Sequence, residues 1–425
     1  MRALWLCNIA MSDTATSGTG TWLDAMARGL MSSGEVELGI LSSGPVSVVT
    51  RQDYRELKQW LVPERESLAS DGLPSAAVVN GIQEACKQFS PDLVHVWGTE
   101  GYWGLLTARR LLTAPALLEM QGLKQAIAGV YYGGLSLSER LRCIGIKELL
   151  KRSTMHSERR AFIRWGVLER EMICGHNFVN AQSPWMAAQV RAIHPDAHLF
   201  KADCALRTEF DCAAPWQWTE QPSVFTTSAY PTPFKGLHLA VRAIALLRRR
   251  FPGITLRIAG PHQRPGLRLD GYVRWINSLI RAEGLEKQVV WLGSLSAAQI
   301  VQQLQSAGAA LMPSYVESYC LAMAEAMRIG TPVVSAFTGG TGHLGQDNQT
   351  CLFFPSGDVA MCAYQLERVL RDREQAERLS RQARETAAVR HDRANLVRRQ
   401  IDTYRQVQMK TCRQGDTDGL REFDP

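Results

Sequence analysis

The chain has 425 residues, 45% of them hydrophobic, and a formal charge of +7, so it is long enough for two or three domains and apolar enough to fill two sizeable cores. No apolar run reaches the length needed to cross a bilayer, and Met1 to Ala10 lacks the layout of a secretory leader, so a cytoplasmic location is expected. Ten cysteines are scattered without a C-x-x-C pair or a Cys/His cluster at zinc spacing, which argues against a disulfide framework or zinc centre and for reduced, mostly buried thiols.

In chain order, Arg2 to Ile9 is a short apolar run typical of a buried first strand, followed by a glycine loop, Ser17 to Thr21, and a helical pattern over Trp22 to Leu30. Gly18 and Gly20 would let backbone approach a phosphate or a sugar, or simply make a tight turn. The loop lacks a full G-x-G-x-x-G, and no acidic residue closes a second strand about 20 residues on, which argues against a dinucleotide fingerprint. Pro91 to Gly104 is an apolar strand running into a glycine-rich aromatic loop. Such loops, at the carboxyl ends of strands, form the ligand crevice of open α/β sheets. Trp97, Glu100 and Trp103 fall where a ligand would stack and hydrogen-bond, whereas His95 reads as a strand residue. Ala116 to Leu123 is a further strand and turn, with Gln121 before Gly122.

From Arg140 to Arg170 the chain holds nine basic residues against three acidic ones, so nearly all of the net charge is local. Phe162, Trp165, Leu168 and Met172 recur at helical spacing beside the cations. Segment 140–172 can therefore rest on an anionic membrane surface, or it can bury its apolar face and solvate its charged one. Nucleic acid is not an expected partner, because the basic residues are confined to one segment and no reading module is present.

Phe178 to Trp185 reads as the last strand and helix start of a first domain, 1–205, and a linker poor in periodicity spans 206–222. A second domain is expected over 223–385. It opens with the strand at Val224, the Lys235-Gly236 pair and a helix, and it continues through strands at Ile254, Val289 and Ala309. The last of these leads into Met312-Pro-Ser-Tyr-Val-Glu317-Ser-Tyr-Cys-Leu-Ala-Met-Ala-Glu325-Ala-Met327, then Gly330 and a strand at Val333. Free N–H groups at the helix start near Ser318 to Leu321 form an anion site, flanked by Glu317 and Glu325. Eight helical residues span roughly 12 Å, so the two acids can reach different parts of one extended ligand with phosphate in its middle, which is the shape of a nucleotide sugar. In other settings such glutamates are only dipole partners or solvated, and a loop lysine such as Lys235 is only solvated. A mainly helical stretch closes the chain, with a helix over 386–410 and a fraying polar tail over 411–425.

The run Pro-Ser-Tyr-x-Glu-Ser-Tyr-Cys-Leu-x-x-x-Glu-Ala-Met-x-x-Gly-x-Pro-Val-Val closely resembles the E-x7-E signature of retaining GT-B glycosyltransferases of the GT4 family, and Lys235-Gly236 is that family's second hallmark. The resemblance implies an α/β fold of two facing Rossmann-like domains with a C-terminal crossover helix. It implies transfer of a sugar from a nucleotide-sugar donor to a glycan or lipid-linked acceptor, with retention and without a metal or other cofactor, in bacterial surface polysaccharide assembly at the inner face of the membrane. Lys235 would stabilise the leaving diphosphate and Glu317 would hold sugar hydroxyls. Ser318, Tyr319, Cys320 and Leu321 would offer backbone to phosphate and sugar, Glu325 would take the ribose diol, and Gly18 and Gly20 would lie over the donor phosphate. The acceptor side would draw on Trp97, Glu100, Trp103 and Gln121. Many relatives have a histidine where Gln121 stands and an arginine near Ser228 and Ala229. Those departures keep open a catalytically silent nucleotide-sugar-binding or scaffold protein of the same fold. They also leave Lys235 to carry the electrostatic load alone or with help from His262, Arg264 or another basic side chain.

Overall fold

Continuous apolar runs without alternation form strands buried on both faces, and these pair in parallel under covering helices. The structure, a computed structural model, describes residues 1–12, 21–151, 153–228, 231–260 and 270–419. The first sheet contains β1 (Arg2–Cys7), β2 (Glu37–Gly44), β3 (Thr50–Arg51), β4 (Lys58–Pro63), β5 (Leu93–Trp97), β6 (Ala116–Met120), β7 (Phe178–Ala181) and β8 (His198–Lys201). Its order is β3-β4-β2-β1-β5-β6-β7-β8, and every pairing is parallel except β3 with β4. The second sheet contains β9 (Ser223–Thr227), β10 (Thr255–Ala259), β11 (Val289–Gly293), β12 (Ala309–Met312), β13 (Val333–Phe337) and β14 (Leu352–Pro355), all parallel, in the order β11-β10-β9-β12-β13-β14. The two Rossmann-like halves expected from the sequence are present.

Each sheet reverses its strand order once, between β1 and β5 in the first and between β9 and β12 in the second. Open parallel sheets place their ligand crevice at such a switch point, outside the carboxyl ends of the strands. The loops after β5, β9 and β12 all leave from these points, and they carry Glu100, Lys235 and Glu317.

The last helix, Arg393–Gly419, follows the second sheet in sequence but packs on the first. Val397, Ile401 and Tyr404 share one face at helical spacing and are buried there. Gly29 makes room for this helix, since a Cβ on it would lie 2.4 Å from Val397 Cγ2. The Tyr404 hydroxyl accepts from Trp5 Nε1 at 2.8 Å and lies 2.8 Å from His95 Nδ1, so His95 is a buried core residue of β5. The helix boundaries differ from those read in the sequence. Residues up to Arg390 belong to the preceding helix, Arg373–Arg390, and the tail expected from 411 continues as helix to Gly419.

The apolar stripe of segment 140–172 follows the buried one of its two readings. Phe162, Trp165, Leu168 and Met172 on the helix Met155–Cys174 are not a membrane-facing stripe. Met172 is in the first-sheet core, Trp165 and Leu168 pack against it, and Phe162 meets the Tyr131 ring, because burying this face covers more apolar surface than leaving it exposed. The linker 206–222 is packed against the second domain, since Phe210 and Trp216 are buried and Trp216 Nε1 donates to Ala307 O at 2.7 Å.

Burial holds three histidines neutral. His176, His238 and His391 are each pushed down to about 4. His238 Nε2 lies 2.9 Å from Gly133 O and His391 Nδ1 lies 2.8 Å from Cys204 O, so both join distant parts of the chain. An unfolded histidine titrates near 6.5, so between that pH and about 4 the unfolded chain binds the extra protons. Stability should therefore be complete above about pH 6.5 and fall as pH drops toward 4, by up to roughly 3 kcal/mol per histidine. Urea unfolding from pH 7.5 to 4 should show this slope, and it should flatten in His391→Gln.

Candidate functional site

The loop from β12 to the helix Leu321–Ile329 carries Glu317, and it is held by glycines where backbone meets backbone. Gly236 ends the 3-10 turn Pro233–Lys235 with φ of 72°, and a Cβ there would lie 2.0 Å from Pro313 O. Gly339 and Gly340, in the loop after β13, press on the other side. Their Cβ atoms would lie 1.9 Å from Glu317 O and 2.1 Å from Ser318 O. Gly340 N donates to Glu317 O at 2.7 Å, and Thr338 Oγ1 donates to Tyr315 O at 2.7 Å. Any side chain at these three positions would force the loops apart.

This clasp brings Lys235 Nζ to 2.7 Å from Glu317 Oε1 across 82 residues of sequence. Burial disfavours the Lys235 ammonium, but the charge and hydrogen bond of Glu317 outweigh it, so the pKa stands above the ordinary lysine value. The lysine side chain keeps 34% exposure, so the cation remains open to a ligand. Cys320 caps the following helix with φ of 77°, is buried, and has its thiol driven far above the usual range by that burial. It fills space and is no nucleophile. The first domain reaches the same loop, where Ser183 Oγ donates to Ser318 O at 2.7 Å and Ser318 Oγ donates to Gln121 O.

Glu325, one of the two expected flanking acids, is buried and ion-paired. Arg207, in the linker, contacts its Oε1 through Nε at 2.8 Å and Nη2 at 2.7 Å while stacking 4.8 Å from the Phe210 ring centroid. Burial raises the Glu325 pKa, and Arg207 opposes that shift. No local pattern marks Arg207, because its partner lies 118 residues away. Tyr319 is buried, and its hydroxyl donates to Asp203 Oδ1 at 3.1 Å, so its side chain ties the loop to the end of the first domain and only its backbone faces the site.

On the first-domain side, the expectation that Trp97 and Trp103 stack on an acceptor is corrected. Trp97 is 3% exposed between the rings of Trp5, Trp22 and His95, and Trp103 is 1% exposed with its Nε1 bound to Asn8 Oδ1 at 2.9 Å. Large rings in a strand and a short helix beside the core are worth more buried than open. Glu100 fits its expected place better. Its carboxylate lies against Gly98 and Gly122, where Cβ atoms would come within 2.1 and 2.4 Å of its oxygens, and Oε2 finds no partner among the described residues. Burial pushes this carboxyl up, and Glu169 adds to the shift. Lys124 and Glu169 were not anticipated. Lys124 Nζ donates to Glu100 O at 2.8 Å and lies 4.3 Å from the Trp165 ring centroid, while Glu169 accepts from Lys124 N at 2.9 Å and from Gln125 N at 3.1 Å. Gly18, Gly20, His262 and Arg264 lie outside the described residues. So does Ala229, whereas Ser228 beside it is buried. No group of three or more His, Cys, Asp or Glu suited to a metal occurs among the described residues.

Residues 213–386 match the family model "Glycosyl transferases group 1", which encloses Lys235, Glu317 and Glu325. The chain is 34% identical over 151 residues to a glycogen synthase of Mycobacterium tuberculosis, covering 36% of this chain and 34% of that protein. It is 33% identical over 154 residues to a D-inositol 3-phosphate glycosyltransferase of Nocardia farcinica, covering 36% and 33%. These matches span about a third of the curated relatives' length (34% and 33%). Solved structures align over nearly the whole chain. Sucrose-phosphate synthase of Thermosynechococcus elongatus has a TM-score of 0.74 at 16% identity, covering 96% of this chain and 99% of that one. Anabaena HepE in complex with UDP-glucose has a TM-score of 0.65 at 14% identity, covering 97% and 99%. Residues 213–386 are thus similar to a group 1 glycosyltransferase domain, and the whole chain shares the fold of these solved structures.

Removing Arg207 strands a buried carboxylate. Arg207→Ala should lower unfolding stability by about 3–5 kcal/mol at pH 8. The deficit should shrink as pH falls, because burial raises the Glu325 pKa and the stranded carboxyl escapes by taking a proton, and Glu325→Gln added to Arg207→Ala should recover part of it in urea titrations.

Proposed function

We propose that this protein is a retaining, metal-independent glycosyltransferase of the GT4 kind, which moves a sugar from a nucleotide-sugar donor to a glycan or lipid-linked acceptor. The observation that carries this reading is the Lys235–Glu317 contact of 2.7 Å, set by the glycine clasp inside the matched domain. HepE, which shares the fold, is described in complex with UDP-glucose, in keeping with a nucleotide-sugar ligand.

In this mechanism Glu317 keeps the lysine charged and oriented before the donor arrives. The donor diphosphate then takes over the ammonium, which compensates the negative charge that grows on it as the glycosidic bond breaks. Glu317, released from the lysine, accepts hydrogen bonds from the sugar hydroxyls. The N–H groups at Leu321 and the turn before it face phosphate, and Arg207 fixes one oxygen of Glu325 so that the other meets the ribose diol. The acceptor hydroxyl enters on the face that the diphosphate leaves, and a phosphate oxygen takes its proton. Glu100, Gln121 and Lys124 line the acceptor side. The place assigned to the reaction is bacterial surface polysaccharide assembly at the inner face of the membrane.

The test is turnover with UDP-, GDP- and ADP-sugars, with and without Mg2+, on Lys235→Ala and Glu317→Ala. Each variant should lose transfer or donor hydrolysis by roughly 10²–10³-fold. Stability should change by no more than about 1 kcal/mol, because the ion pair is partly exposed. Transfer that survives both substitutions would overturn the assignment. Donor-induced thermal stabilisation without turnover on any acceptor would identify a silent binding protein.

A further inference from the structure

Asp203 stands two residues after β8, where the first domain ends, and both chain crossings between the domains pass beside it. The linker leaves from it. Arg390 and Arg399, on either side of the break between the last two helices, come within 4.0 and 3.9 Å of its oxygens, and Lys201 comes within 3.9 Å. At that break His391 Nδ1 meets the carbonyl of Cys204, the neighbour of Asp203. Hinges between domains lie at such crossings, where a few terminal residues absorb the rotation.

The side chain of Asp203 is 2% exposed, and a buried carboxylate needs hydrogen-bond donors as well as cations. Its shortest contacts supply those donors, and they run away from the hinge. The Tyr319 hydroxyl donates to Oδ1 at 3.1 Å, and His343 Nε2 lies 3.2 Å from the same oxygen. Tyr319 comes two residues after Glu317 and His343 three after Gly340, so one oxygen holds both of the loops that the glycine contacts press together. Burial alone would raise this carboxyl, but the His343 hydrogen bond and the nearby cations hold it below the ordinary range, so Asp203 is an anion that accepts from both loops. Lys201 and Arg399 are 62% and 63% exposed, so water screens their pull on it. The contacts to the loops are the shorter and the drier ones.

We propose that Asp203 is a positioning residue for sugar transfer. Held at the hinge, it fixes Tyr319 and His343, and so it aims the Glu317 loop, with the Lys235–Glu317 pair and the N–H groups before Leu321, at the first domain. The glycine contacts set how closely the two loops approach each other. Asp203 sets where the joined loops lie relative to the end of the first domain, and Ser183 and Gln121 then meet Ser318 within hydrogen-bond reach. The kinetic consequence rests on the glycosyltransferase reading above, whereas the positioning itself does not. A reacting group displaced by about 1 Å loses on the order of 10²-fold in rate, so a tie far from the bond that breaks is felt in turnover.

The test pairs donor turnover with amide hydrogen exchange over 317–321 in the full chain. Asp203→Ala should lower kcat for transfer or donor hydrolysis by roughly 10–100-fold and change the donor KM by less than about threefold, because the binding groups remain but are misaligned. Asp203→Asn keeps an oxygen for both loops and should return kcat to within about threefold of the parent. Tyr319→Phe cuts one tie and should lower kcat by roughly fivefold, and adding it to Asp203→Ala should cost less than about twofold more. Exchange over 317–321 should quicken by roughly tenfold in Asp203→Ala and in Tyr319→Phe while β1 and β5 keep their protection, which a general loss of stability would not spare. Additive losses, an asparagine variant as slow as the alanine one, or a folded Asp203→Ala with the parent's kcat and exchange would each overturn the assignment. A parent that turns over no donor removes the catalytic reading and leaves exchange to decide. Faster exchange confined to 317–321 then upholds the positioning, and unchanged exchange overturns it. If Asp203→Ala does not fold, Tyr319→Phe decides by the same two readouts.

Discussion

Three backbone contacts without room for a side chain set the geometry of the candidate site. Gly236 rests on Pro313 O, Gly339 on Glu317 O and Gly340 on Ser318 O, each closer than any Cβ could be accommodated. The loops after β9, β12 and β13 can therefore lie against one another as bare main chain. Lys235 and Glu317 meet because the residues next to them are fixed in this way. The helix Leu321–Ile329 is aimed by the same contacts, so the cation, the anion and the helix N-terminus form one unit that side-chain packing alone would hold less sharply.

The rest of the molecule keeps that unit facing the first domain. Ser183 and Gln121 reach Ser318 from the ends of the first sheet, and Arg207 reaches Glu325 from the linker. Asp211, in the linker's short helix, binds Arg393 at 2.7 Å at the start of the last helix and lies 3.6 Å from Arg328 at the end of the helix that carries Glu325. The last helix then crosses to Trp5 and His95 through Tyr404. Partly buried ionic contacts of this sort add little net stability, because desolvation offsets attraction, but they penalise any other arrangement of the same parts. Their value here lies in fixing where the linker runs.

The first-domain face of the cleft follows a different logic. Its charged residues, Glu100, Lys124 and Glu169, are close together and partly desolvated, and burial drives all three toward their neutral forms. A group of this kind responds to what binds beside it, since a ligand that supplies charge or hydrogen bonds changes which proton is held. The second-domain site contrasts with this, because Lys235 and Glu317 already compensate one another.

The sequence by itself determined the alternation of strands and helices, the two parallel sheets, and the loops of Lys235, Glu317 and Glu100, because apolar runs and glycine stops are local signals that survive without knowledge of the fold. It did not determine which aromatic residues face a ligand. Trp97 and Trp103 sit in a loop-and-strand pattern that suits a binding surface, but the sheet places their rings in its core. The same limit applied to the basic segment, where helical spacing shows that Phe162, Trp165, Leu168 and Met172 share a face but not whether that face looks inward. Only the tertiary structure decided that this stripe is core and that Leu137, Leu141, Ile146, Leu149 and Leu150 are left outside. It alone also brought Arg207 to Glu325 and Lys124 to Glu100. The physical reason is that periodicity reports relations within an element, whereas burial and ion pairing depend on which distant element packs against it.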